Sequence, residues 1–223
     1  MKTIAEASAL FQRFLMSENK QFSFLKELSD ENQSFFIKDM ISSNYIFFFS
    51  IMIKKNLYTA GGWLELKQIE EILQPLLIKY GFQKKILVGE RTIIQPIVSN
   101  QESDEKYQEA INIQLISESE IKKSASLIWQ YIDGVFIPFW EKYSDLQTVN
   151  NEIIDKIPDN QITDYIPRYA SFKKMIIMKL CNNQKYNDYH DWLYQGLKKR
   201  NNEGKNQDYY QLMVELSDLL SKI

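Results

Sequence analysis

The stretch WLELKQIEEILQPLLIKYGFQKKILVGERTIIQPIV, Trp63–Val98, decides the fold class, because its hydrophobic period changes part-way along. From Trp63 to Tyr80, the residues Leu66, Ile69, Leu73, Leu76, Leu77 and Tyr80 recur at the spacing of an amphipathic helix. Pro75 is expected to kink or divide that helix, since it lacks an N–H and its ring meets the preceding turn. Gly81 is placed to end it. Phe82–Val88 and Thr92–Val98 then read as strands, joined as a hairpin through Gly89-Glu90. A third strand is expected at Ala110–Ile116, where Ile111, Ile113 and Leu115 alternate with Asn112 and Gln114. Asn100–Glu109, NQESDEKYQE, reads as a long polar connection between the second and third strands.

Towards the N-terminus the first sixty residues read as helical. Ile4, Ala7, Leu10, Phe11, Phe14 and Leu15 share one helix face, and Ser29 or Asp30 would cap a second helix through Phe35, Phe36, Met40 and Ile41. Tyr45–Ile53, YIFFFSIMI, has no period, so buried helix and buried strand both remain open there. Gly61-Gly62 reads as a break.

Towards the C-terminus, Ser117 and Glu120 have capping-box spacing for a helix through Leu127, Ile128, Tyr131 and Val135, which Pro138 would interrupt. Ser144 and Gln147 repeat the signal for a helix ending near Ile157-Pro158. Tyr165–Leu180, Asp188–Lys199 and Gln207–Lys222 complete a helical end. The expected fold is α+β: N-terminal helices, a small mostly antiparallel sheet of about three strands packed by helices, and a C-terminal helical bundle. The expected divisions are residues 1–60, 61–160 and 161–223, packed as one globular unit.

Composition removes several function classes. One histidine and one cysteine, His190 and Cys181, leave no His-rich or Cys-paired zinc set and no internal disulfide. His190, in NDYHDW, could act as a base steered by Asp188 or Asp191, but it also suits a structural place in a first helical turn. Cys181 follows the apolar MIIMKL run near a helix C-terminus, which raises rather than lowers a thiol pKa. No GxGxxG, GxxxxGK[ST] or GxSxG motif occurs. Neither a cofactor nor a metal is expected.

The net charge of −2 provides no field for nucleic acid. Only Arg13, Arg91, Arg168 and Arg200 among the 27 basic residues are arginines, and the lysine pairs are dispersed. The longest apolar run is too short to span a membrane, and Glu6 and Arg13 interrupt any signal-peptide core, so a cytoplasmic protein is expected.

Carboxylate-only hydrolysis of a sugar or other small polar substrate survives, since it needs no histidine. Glu70-Glu71 and Glu118/Glu120 read as solvated faces or caps, whereas Asp133 and Glu141 lie in the aromatic stretch Trp129–Tyr143. Glu102, Asp104, Glu105 and Glu109 form a compact acidic feature suited to a basic protein partner.

ILQPLLIKYGFQKK (Ile72–Lys85), the strands and helix after it, and IPFWEKYSDL (Ile137–Leu146) together resemble the bacterial family termed domain of unknown function 4304. The resemblance covers residues 63–200 and implies an α+β fold, a bacterial intracellular setting and a partner-binding role of the toxin–immunity kind. It assigns no catalytic residue. The leading expectation is therefore a non-catalytic binding protein of immunity or adaptor type, with the hydrolase as its alternative.

Overall fold

The computed structural model describes residues 3–18, 20–26, 28–30, 33–51, 57–94 and 101–223, without the side chains at 58 and 101–104. The elements run α1 (Ile4–Glu18), β1 (Ser23–Phe24), β2 (Gln33–Asp39), β3 (Ser43–Ile51), β4 (Leu57–Leu66), α2 (Lys67–Lys79), β5 (Ile93–Ile94), α3 (Gln101–Asn112), α4 (Glu118–Tyr131) and α5 (Ile137–Tyr143). They continue with α6 (Leu146–Val149), α7 (Ala170–Leu180), α8 (Tyr186–Asn202) and α9 (Gln207–Ser221). The fold is α+β, but its sheet has five strands in the order β1-β2-β3-β4-β5, not about three. The chain divides into two compact units, Met1–Leu64 with Gln95–Lys142 and Glu65–Ile94 with Tyr143–Ile223.

In the first unit the expected second helix is instead β2, paired antiparallel with β3 in the register Phe36↔Phe47 and Phe35↔Phe48. Both faces of this ribbon are covered by rings. Phe36 stacks on Phe47 at 4.6 Å, and Phe11 of α1 meets Phe49 at 4.6 Å. On the other face Phe35 stacks on Phe48, and both meet Trp63. Such doubly buried strands carry no alternation, so Tyr45–Ile53 shows no period although Ser43–Ile51 is a strand.

Gly61-Gly62 is not a break but the middle of β4. A Cβ at Gly62 would stand 2.7 Å from Trp140 Cζ2 and 2.9 Å from the Ile46 carbonyl oxygen, so glycine permits that close approach. The expected strand at Ala110–Ile116 and the polar connection before it are also overturned. Residues 101–112 are α3, packed on α4 with the Ser124 hydroxyl donating to the Ala110 carbonyl at 3.0 Å. Ser117 and Glu120 do form the capping box of α4. Pro138 does not stop that helix: a π-helical turn at Ile132–Phe136 widens the backbone just before it, and α5 follows directly.

In the second unit Pro75 lies within an undivided α2, on its exposed side. The helix ends in a Schellman motif, with Gly81 at φ 75° and the Phe82 and Gly81 N–H groups donating to the Leu77 and Ile78 carbonyls. The expected hairpin of Phe82–Val88 and Thr92–Val98 does not form: only Ile93–Ile94 is a strand, while residues 95–98 lie outside the described residues. Side chains take over the backbone bonds that a ladder would supply. Gln74 Oε1 accepts from Leu87 N–H at 2.7 Å, and the Glu65 carboxylate accepts from the N–H groups of Gly89 and Glu90 at 3.1 Å each.

The helices after Asp164 match expectation apart from their ends. Asp145 caps α6 in place of Ser144, accepting from Thr148 N–H. A second π-helical turn, Asn150–Ile154, and a 3₁₀ turn, Asp159–Asp164, lead to α7.

Candidate functional site

The acidic residues singled out above lie on α3. At about 100° per residue, positions 102, 105 and 109 fall on one face of the helix and position 104 does not. Glu105 is exposed, and Glu109 is ion-paired with Lys123 of α4 at 2.8 Å. The acidic feature is thus a helical surface, partly neutralised from within the unit, and not a projecting loop. The side chains of Glu102 and Asp104 lie outside the described residues.

The carboxylates considered for hydrolysis are not brought together. Glu118 pairs with Arg13, Glu120 is committed to the capping box, and Asp133 and Glu141 are exposed. Glu70 is buried against Lys173 at 2.8 Å and accepts from the Thr92 hydroxyl at 2.7 Å. Its neighbour Glu71 is exposed. Each of these bonds belongs to helix capping, surface pairing or core satisfaction.

His190 meets Asp191, one of the two carboxylates considered for it, and a serine to which the sequence did not point. Its Nδ1 lies 3.0 Å from Asp191 Oδ1, and its Nε2 lies 2.9 Å from the hydroxyl of Ser217 on α9. The distances are those of a Ser-His-Asp relay, but the Ser217 hydroxyl also donates to the Met213 carbonyl at 2.7 Å, a bond within α9 that competes with donation to Nε2. Ser217 also sits inside a helix, whose N–H groups are engaged along its length and supply no oxyanion hole. The triangle ties α8 to α9. Cys181 caps the end of α7, with its thiol directed to the Leu146 carbonyl, and burial pushes its pKa up to about 11. No thiolate nucleophile is prepared there.

The more informative feature lies in the second unit, where α7, α8 and α9 line an open cavity of about 850 Å³. One wall is the entry to α7: Arg168 and Tyr169, followed by the first helical turn through Phe172. A second is a stripe of α8 formed by Trp192, Leu193, Gly196, Leu197 and Arg200. The third is the start of α9, with Asn206 and Tyr209. Two of the chain's four arginines line it, and neither a lysine nor a carboxylate does. Arg168 is 62% exposed and held loosely at 3.7 Å by the buried Glu90. Trp192 is 64% exposed and rests its ring against Tyr189.

Arg168, Tyr169 and Asn206 all adopt positive φ, between 51° and 56°, without being glycine. Each such backbone costs on the order of 1 kcal/mol and must be held by its surroundings. Tyr169 and Asn206 are the N-caps of α7 and α9, and neither makes a side-chain cap bond.

No protein-family profile, no curated protein and no solved structure matches the chain. Among the described residues no helix is long and apolar enough to cross a membrane, and no group of three or more His, Cys, Asp and Glu could hold a metal ion.

Proposed function

We propose that this is a non-catalytic binding protein that recognises another protein, of the immunity or adaptor type, and that the α7–α9 cavity is its recognition surface. The observation that carries the reading is Trp192, 64% exposed on the rim of a cavity whose only charged lining residues are Arg168 and Arg200. Tryptophan, tyrosine and arginine are the side chains that dominate binding hot spots, since they bring large contact area and directional donors together. The opposite charge complements such a lining, so the partner segment is acidic or phosphorylated rather than basic. A bacterial cytoplasmic setting and the resemblance to domain of unknown function 4304 belong to this proposal and do not support it. The hydrolase alternative needs two carboxylates facing one substrate, and this cavity has none in its walls.

The test is affinity purification from the native host with the wild-type chain and Trp192→Ala in parallel. A protein retained by the wild type and lost from an equally stable Trp192→Ala variant is the expected result. Retention of the same proteins by both, or of none by either, would remove the reading.

A further inference from the structure

We infer that the α7–α9 cavity is a site for a phosphate ester carried on, or next to, a flat ring. The inference rests on the binding reading above and names the group by which the ligand is held.

The choice of cation is the first argument. Arginines are four of 27 basic residues, yet the cavity takes two of them and no lysine. The guanidinium differs from the ammonium in offering a planar fork that meets two oxygens of one anion at once. Arg168 enters at the start of α7 and Arg200 from the last turn of α8, so two forks reach the cavity from separate elements. Glu90 stands 3.7 Å from Arg168 but no carboxylate lines the cavity itself, so a dianion answers both forks where a single carboxylate would answer one.

The second argument is that aromatic side chains share that lining, although Phe172 is itself buried. Phe172 lies parallel to Tyr209 at 6.1 Å, and exposed Trp192 stands at the rim. Rings and guanidinium groups in one lining suit a flat, apolar ligand body with an anionic end.

Gly196 is the third and independent observation. It lines the cavity from inside α8, where a glycine costs helix stability relative to alanine. Its φ is not positive, and a Cβ built on it would meet nothing within 4 Å. Neither backbone conformation nor packing requires glycine here. Its effect is to leave the space above this helical turn open.

Phenyl phosphate is the direct probe, read by calorimetry and by quenching of tryptophan fluorescence. Trp192 is the one exposed tryptophan, so Trp192→Phe identifies the signal. Phenyl phosphate is expected to bind saturably and at least tenfold more tightly than inorganic phosphate. Arg168→Lys and Arg200→Lys, which keep the charge but lose the fork, should each weaken it about tenfold or more. Gly196→Leu should fill the space and abolish binding with the melting midpoint unchanged or raised. No saturable binding, or binding indifferent to both arginine substitutions, would overturn the inference.

Two further probes separate the sources of such a group. Tighter binding of a phosphotyrosine peptide than of adenosine monophosphate assigns the site to a modified partner protein. The reverse order assigns it to a nucleotide and removes the protein-partner reading while keeping the site. If a partner co-purifies through Trp192 but phenyl phosphate does not bind, this inference falls and the binding reading stands.

Discussion

Lys173 Nζ lies 2.8 Å from Glu70 Oε1, and the two side chains are 1% and 3% exposed. Lys173 also donates to the Arg91 carbonyl at 2.8 Å, while Glu70 Oε2 has no hydrogen-bond partner among the described residues. The pair joins α7 to α2 but leaves one carboxylate oxygen without a bond from the described residues. Removing one partner strands a buried charge, so Lys173→Met is expected to cost about 3–5 kcal/mol. The double variant Lys173→Met with Glu70→Leu should recover most of that loss in urea denaturation. A double variant as unstable as the single one would contradict the desolvation argument.

Gly62 tests the packing of the first unit. A methyl group there would press on the Ile46 backbone oxygen as well as on the Trp140 ring, so Gly62→Ala is expected to destabilise by about 1–3 kcal/mol. At Gly61 the nearest atom, at 2.9 Å, belongs to the Phe48 ring, a side chain, so Gly61→Ala should cost less. Equal thermal shifts for the two would show that the ring of Trp140 moves aside freely.

Cys181 predicts a slow thiol. With its pKa pushed up to about 11 by burial, only about one molecule in a thousand is thiolate at pH 8. Iodoacetamide labelling of the native protein should be far slower than that of the unfolded chain and should rise about tenfold per pH unit below 11. Rapid labelling at neutral pH would place the sulfur in a different environment.

Asp145 sets a pH dependence. Bonds from the Thr148 hydroxyl and N–H, at 2.7 and 2.8 Å, hold its carboxyl below the usual range. A depressed carboxylate pKa gives stability that is present above the unfolded value, about 3.9, and is lost as pH falls through the folded one. Asp145→Asn, which keeps a neutral cap, should therefore flatten the acid limb of the stability curve. Parallel acid limbs for wild type and variant would mean that the cap contributes nothing.

The sequence revealed those elements whose signals are local. The stripe of α9, the Ser117–Glu120 box and the Gly81 stop each lie within a few residues of what they specify. It concealed β2 and β3, whose rings pack on both faces and erase the alternation that marks a strand. It also concealed the loop after α2, because Glu65 supplies bonds to Gly89 and Glu90 from far along the chain. The site was hidden for the same reason. Arg168 and Arg200 were noticeable as rare residues, but only the turn between α7 and α8 brings them to one cavity with Trp192.

The backbone passes between the two units three times, inside β4, after Ile94 and after Lys142, which bears on how the protein is made. α2 is synthesised early, yet α7 and α9, its packing partners, come roughly a hundred residues later. During that interval Leu73, Leu76 and Leu77 have no apolar cover from those helices, and Glu70 waits for Lys173. The second unit can therefore close only when α9 has emerged, and the nascent protein carries a greasy helix that a chaperone could hold until then.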